Sequence, residues 1–326
     1  MSSSPVVAVL FQAIDPPAIN GVRKPKKPGG YQDSGADIVY ILQRQGFRVV
    51  TPNASPSPSV MEGWCFPDTE QGILSAVQRG ATHLWANTIL FSSHPLQTST
   101  KLSRDLRVVG QPPVLTEIFD DKAYLNNKLR ETSSFTMPRS WLIDHQHSIV
   151  LDSIPQYPIV AKPVRGRGSH GVKVCHSADQ LQQHIQLLLH ESPLVMLEEY
   201  LAGQEATMTV MPPPPPVDDD DDGRRHWCLP PVTRFNHVDG VAPYNGTVAV
   251  TANSRAVTAG EVKADSAVYG DMMDQCARAG DLIKTTAPIR IDVRRRREVG
   301  EFVLFDINMK PVCIFFFFFL NNMLPY

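Results

Sequence analysis

The sequence predicts an α/β fold with α+β parts, on three observations. A short apolar run at 6–11, a helical pattern at 33–45 and a second apolar run at 47–50 read as a βαβ opening. A strand at 158–162 delivers Lys162 into a loop with three glycines within six residues, Gly166, Gly168 and Gly171. Near the end, two strand patterns at 289–293 and 302–308 carry Asp292, Asp306 and Asn308 where apolar residues are expected.

A chain of 326 residues is long enough for two or three domains with a large core. The first expected unit spans 1–119. In its opening helix Ile38, Ile41 and Leu42 form the apolar face and Gly46 stops the helix. A helix at 68–79 and a strand at 82–86 continue it. The second unit spans 120–194. Asp120 or Asp121 caps a helix running to about 130. Strands follow at 158–162 and 172–175. Ser177 and Gln180 form a capping box for a helix whose Leu181, Ile185, Leu188 and Leu189 share one face.

The third unit spans 195–311. Its strands are expected at 206–211, 247–251, 289–293 and 302–307, with a helix at 264–283 that spaces Val268, Met272 and Cys276 by four. Within it, five prolines at 212–216 and five aspartates at 218–222 can neither pair in a sheet nor build a core. Residues 212–223 are expected to be a solvated, disordered hairpin tip. The run from Arg294 to Arg297 is expected to be a hairpin turn.

Composition narrows the function. A formal charge of −2 leaves no dominant electrostatic footprint for nucleic acid. Five cysteines without a Cys-x-x-Cys pair read as free thiols of a reducing compartment. The first residues lack the basic flank and long apolar core of a signal peptide, and the longest apolar run, 313–320, is too short to span a bilayer as a helix. The expectation is a cytoplasmic protein with no membrane partner, and a homodimer is left open.

The polar residues point to phosphate chemistry. Two buried carboxylates side by side repel unless a cation lies between them. Hard oxygen ligands on a rigid sheet suit Mg²⁺, which usually binds substrate phosphates as well. Glycines let backbone N–H groups approach phosphate oxygens closely. Gly-x-x-x-x-Gly-Lys-Ser/Thr and Gly-x-Gly-x-x-Gly are both absent. A third segment follows an apolar strand at 194–197, read as the start of the third unit, and holds Glu198, Glu199, Leu201 and Glu205. Its carboxylates can accept from ribose hydroxyls and its backbone can read an adenine edge; taken alone it reads equally as a charged linker.

Together the three segments resemble the ATP-grasp superfamily, and in particular the D-alanine–D-alanine ligases and related carboxylate–amine ligases, from about residue 120 to Asn308. Arg290 and Asp292, then Asp306 and Asn308, resemble the family's Arg-x-Asp and Glu-x-Asn strands, with Asp in place of Glu at 306. The resemblance implies a two-lobed ATP-grasp fold after an N-terminal α/β domain. It implies that Lys122 and Lys162 hold ATP phosphates beneath a lid containing Gly166, Gly168, Ser169 and Gly171. It implies that Glu198, Glu199 and Leu201 read adenine and ribose, with Glu205 the second ribose carboxylate. Asp292, Asp306 and Asn308 match the ligands of two Mg²⁺ ions, and Arg290 matches the arginine that stabilises the transferred phosphoryl group. The family's further lysine has no clear counterpart; Arg234 is the candidate. Two polar clusters, 87–94 and 234–246, are candidates for contact with the carboxylate and amine substrates.

Past Asn308 the family's glycine-bearing substrate loop and helix are missing. Phe315 to Phe319 have no amphipathic period and expose apolar surface. Val312, Cys313 and Ile314 can be encoded as GTATGCATA, which begins like a splice donor. Residues 312–326 are therefore expected to be translated intron, and the fold truncated. The expected activity is an ATP- and Mg²⁺-dependent ligase that joins a carboxylate to an amine through an acyl phosphate. The alternative is an ATP-binding, catalytically inactive ATP-grasp protein. A bicarbonate-using carboxylase is disfavoured by the absence of a biotin-attachment motif.

Overall fold

The computed structural model describes residues 4–19, 21, 23, 26–145, 154, 156–166, 168–214, 223–242 and 252–310. The expectations for 247–251, for most of 212–223 and for 312–326 fall outside the described residues.

Three sheets carry the architecture. The first holds β1 (Val6–Phe11), β2 (Arg48–Val49), β3 (Phe66–Pro67), β4 (His83–Asn87) and β5 (Arg107–Val109). Its order is β2-β1-β4-β5, with β3 also beside β1, and every pairing is parallel. Val7 to Leu10 are all buried because helices cover both faces. These helices include α1 (Gln32–Arg44) and α2 (Glu70–Gln78); α3 (Pro95–Thr98) and α4 (Pro113–Phe119) follow. Val9 packs with Ile38 and Val39 of α1, and Leu10 with Ile73 and Ala76 of α2. The βαβ opening lies where the periodicity put it, within a residue or two.

The second sheet is antiparallel, in the order β6-β9-β7-β8. Its strands are β6 (Ser140–Ile143), β7 (Ile159–Pro163), β8 (Lys173–Cys175) and β9 (Val195–Glu199). The strand after residue 194 was expected to open the third unit. It pairs instead between β6 and β7, so this sheet extends to Glu199. One face packs on α6 (Ala178–Glu191) through Leu181, Ile185 and Leu188. Ser177 accepts from the Gln180 amide, but the Gln180 side chain reaches His176 N, so the box is displaced by one residue. Helix α5 (Lys122–Glu131) precedes this sheet, capped by Asp121, which accepts from Tyr124 N at 3.0 Å.

The third sheet runs β13-β12-β10-β14-β15, with β11 beside β10. The strands are β10 (Glu205–Met211), β11 (Trp227–Cys228), β12 (Val232–Arg234), β13 (Ser254–Ala256), β14 (Ile289–Arg295) and β15 (Phe302–Asn308). Alternate residues Ala206, Met208, Val210, Ile289, Ile291 and Val293 face one way. They pack on α8 (Ser266–Ile283) through Met272, Cys276 and Ala279. A short helix, α7 (Ala259–Ala264), leads into α8. The arginine run is not a simple turn: Arg294 and Arg295 complete β14. The four described cysteines are free thiols, and burial pushes Cys65 and Cys228 up to about 12.

Candidate active site

The face of the third sheet opposite α8 is polar, and strand register arranges its side chains in rows. Residues paired across antiparallel strands project from the same face. Arg234, Glu205 and Arg294 pair across β12, β10 and β14. One step along, Thr207, Asp292 and Asp306 pair across β10, β14 and β15. The next step pairs Thr209, Arg290 and Asn308. A β-bulge follows Asp292, because Val293 pairs with Leu304 rather than Phe305. The extra residue breaks the alternation. Both Phe305 and Asp306 therefore line one cavity, of about 210 Å³.

The second sheet supplies the opposite wall. Lys162 and Glu198 are diagonal neighbours on β7 and β9, facing away from α6. Lys162 Nζ lies 2.6 Å from Glu198 Oε2 and donates to the Phe305 carbonyl at 3.2 Å. Asn126 of α5 donates to Glu198 Oε1 at 3.2 Å. Gly166, Gly168 and Ser169 line the cavity. Gly168 and Ser169 have φ near +58° and +59°, the left-handed region that favours glycine. Gly171 stands apart from that wall: it packs beside Pro163 and Leu188, and its carbonyl accepts from His184.

Cations and carboxylates alternate through the site. Lys122, at the first turn of α5, is ion-paired with Asp306. Burial pushes the Asp306 carboxyl up, but the charges of Lys122 and Lys162, the Lys122 hydrogen bond and Arg290 outweigh it. Asp306 is therefore held well below the usual carboxylate range. Burial works against the Lys122 ammonium, but the charge and hydrogen bond of Asp306, with the charges of Asp120 and Glu198, more than compensate, so its pKa is raised. Arg290 lies 2.9 Å from Asp292 Oδ2, and Thr207 donates to Asp292 Oδ1 at 2.8 Å. Asn308 Nδ2 lies 3.3 Å from Asp292 and 3.2 Å from Asp306. Among the described residues no three His, Cys, Asp or Glu side chains converge as a metal site. Two carboxylates bridged by one amide are nonetheless a hard, oxygen-rich donor set of the kind Mg²⁺ takes together with phosphate oxygens.

At the other end, Glu205 Oε2 meets His237 Nε2 at 2.8 Å and Arg294 at 3.7 Å. Tyr200 and Leu201 line the cavity beside them. Glu199 also lines it, with its carboxylate bonded to Arg296; burial raises its pKa, but the Arg296 bond, the bond from Arg139 N and the charges of both arginines together outweigh burial, so the net shift is downward. From the first unit come Tyr31, Ile89 and Thr116. Of the polar cluster at 87–94 only Ile89 reaches the cavity. Asn87 donates to the Tyr31 carbonyl, and fully buried His94 faces Asp68 at 3.3 Å. Of the 234–246 cluster, Arg234, Gly240, Val241 and Ala242 are on the wall, and 243–246 lie outside the described residues.

Sequence reasoning missed Arg294, Thr207, Asn126, Tyr31 and Lys310. Period-two counting finds two of these: Arg290, Asp292 and Arg294 share a face, as do Glu205 and Thr207.

A three-part α/β body whose last two sheets enclose a site of paired lysines and carboxylates is the ATP-grasp arrangement. Residues 134–315, more than half of the chain, match the family model described as D-ala D-ala ligase C-terminus, and the chain belongs to that family. A D-alanine–D-alanine ligase of Gloeobacter violaceus is 37% identical over 54 residues, which is 17% of this chain and 18% of that protein. Curated relatives are thus matched over about a fifth of their length. The D-alanine–D-alanine ligase structure of Coxiella burnetii superposes with a TM-score of 0.64 at 12% identity, covering 94% of this chain and 86% of that one. The Bacillus anthracis D-alanine–D-alanine ligase complexed with ATP gives 0.58 at 12% identity, with the same shares. At such identities these two show the fold.

Proposed function

We propose that this protein is an ATP- and Mg²⁺-dependent ligase that joins a carboxylate to an amine through an acyl phosphate. The observation that carries the proposal is the convergence of Lys122, Lys162, Arg290, Asp292, Asp306 and Asn308 on one cavity beneath the glycine loop. Phosphoryl transfer needs positioning and charge neutralisation more than covalent help. Lys122 and Lys162 hold the phosphates as point charges. Glu205 and the segment from Glu198 to Leu201 hold the nucleoside. Asp292, Asp306 and Asn308 would hold Mg²⁺, which neutralises the β- and γ-phosphates when bound.

Arg290 steadies the transferred group while a substrate carboxylate oxygen attacks the γ-phosphorus. The O–P bond to ADP breaks and a mixed carboxylic–phosphoric anhydride forms. The amine then attacks the acyl carbon, the C–O bond to phosphate breaks, and the amine gives up a proton as the amide forms. Ser169 and the glycine loop cover the site and keep water from the anhydride. D-Alanine is the first substrate to try, because it is named in the relatives.

The test is ADP release by the purified chain with ATP and Mg²⁺ across a panel of amino acids, D-alanine included, and small carboxylates. Release should require both a carboxylate and an amine, and Asp292→Asn should abolish it without unfolding the protein. Tight ATP binding with no turnover on any member of the panel would refute the ligase reading.

A further inference from the structure

The nucleoside end of the cavity is built differently from the phosphate end. There one arginine holds several segments together. Arg294 projects from β14 between β10 and the loop that follows β12. Its Nη1 donates to the Gly240 carbonyl at 2.8 Å, and its Nε to the Gly203 carbonyl at 3.1 Å. Its Nη2 meets the Tyr200 hydroxyl at 3.3 Å, and the guanidinium lies over the Tyr200 ring, 5.1 Å from the centroid. The fourth neighbour is Glu205, at 3.7 Å. A planar group with donors fixed in a fork suits this task, which an ammonium cannot copy.

Each tied segment borders the cavity. Tyr200, Glu205 and Gly240 are all part of its wall. The loop carrying Gly240 is bent back on itself, with Asn236, Asp239 and Gly240 at φ of 57°, 49° and 79°, and Val238 pairs with Val241. Among the described residues the base of that loop is tied by Phe235 N to the Asn253 carbonyl at 2.9 Å and by Asn236 Nδ2 to the Ala252 carbonyl at 2.8 Å, neither of which reaches over the site. The bonds from Arg294 to Gly240 and from His237 to Glu205 do so. They also aim the Glu205 carboxylate, whose neighbours in the strand register are Arg234 and Arg294.

We infer that Arg294 is a positioning residue for the nucleoside: it orients Glu205 and Tyr200 and holds the 235–242 loop as the cover over the base and sugar. This rests on the reading of the cavity as a nucleotide site. The phosphate end shares none of Arg294's partners, so its binding is independent of this residue.

The experiment measures the affinity of the full chain for ATP, adenosine and inorganic tripolyphosphate. Arg294→Met keeps the apolar stem and removes the fork. It should weaken ATP and adenosine by the same factor, about tenfold, and leave tripolyphosphate within about twofold. Arg294→Lys, which restores charge without the fork, should recover less than half of the loss on a logarithmic scale. His237→Gln keeps a donor to Glu205 and should weaken adenosine by no more than about threefold. Equal losses for all three ligands in Arg294→Met would mark a general structural role and overturn the inference. So would unchanged adenosine binding, or full rescue by lysine. If the unaltered chain binds neither ATP nor adenosine, the nucleotide reading itself fails, an outcome distinct from failure of Arg294 alone.

Discussion

Lys162 and Glu198 are 5% and 3% exposed and lie 2.6 Å apart. Removing one member of a buried ion pair leaves the other charge stranded, which costs about 3–5 kcal/mol. Lys162→Met should therefore destabilise the protein by an amount near the lower end, because Asn126 still donates to Glu198. Changing Glu198→Gln in the same chain should recover most of it in urea unfolding. On the proposed phosphate role of Lys162, the single variant should lose far more affinity for ATP than for adenosine. Equal losses for the two ligands would remove Lys162 from that role. At this scale the sequence was informative where one residue type has few uses. A lysine ending an apolar strand before glycines, and aspartates inside strands, were legible. Arg294 was not, because an arginine in a run of four reads as solvated turn. Counting by two from Arg290 and Asp292 reaches it once the strand is known to continue, and the register does extend β14 to Arg295.

Among the elements, α7 has a full capping box that sequence reading passed over: Thr258 accepts from Glu261 N, and Glu261 accepts from Thr258 N. Arg255 donates two hydrogen bonds to the Glu261 carboxylate. The Arg255 bonds first, and the Thr258 bonds next, hold the Glu261 pKa down at about 2, below its ordinary value of 4.5. A depressed carboxyl adds stability that is complete above the ordinary value and is lost as pH falls through the lowered one. The cap should thus persist to about pH 4 and fail toward pH 2. Arg255→Gln should raise the Glu261 pKa toward 4.5, read by NMR titration of its side-chain carboxyl. The pair is exposed, so global stability should scarcely move. Element reading succeeded for long periodic helices and for the brief strands β2 and β8, and passed over β3, β6 and β11. β6 has four residues, and β3 and β11 have two each, too few for any period to show. β9 was found as a strand yet assigned to the wrong sheet. Its chain neighbour is β10, across a short turn, while its hydrogen bonds go to β6 and β7. That turn is tight: a Cβ on Gly203 would lie 1.9 Å from the Arg297 carbonyl oxygen.

Over the whole molecule, an apolar cluster sits under each of the three sheets; Phe119, Leu125 and Leu129 share the one under the third, and polar contacts add to that join. The first unit is clipped to the third by Gln111. Its Nε2 donates to the Ala287 carbonyl at 2.6 Å, and its Oε1 accepts from Thr286 N at 3.0 Å. Gln111 is buried. Gln111→Ala leaves both backbone groups without these partners, at a cost of about 1–3 kcal/mol. Hydrogen exchange should then show Thr286 and the start of β14 opening more often, while the α6 amides keep their protection. Loss of protection across all three units would mean that they unfold as one body. Overall class was readable from alternation and glycine placement. How the units dock was not, since a lone glutamine between Gly110 and Pro112 carries no period that betrays its partner.

The ties around Lys122 and Lys162 have a mechanical side. Lys122, on α5, grips Asp306, and Lys162, on the second sheet, grips the Phe305 carbonyl; both anchors belong to β15 in the third sheet. These ties are bolts driven across the seam to the third sheet. A triphosphate that engages the same two ammonium groups competes with β15 for both bolts at once. The groups proposed to read the phosphates are thus also the fasteners of the seam, so a change at either lysine acts on both.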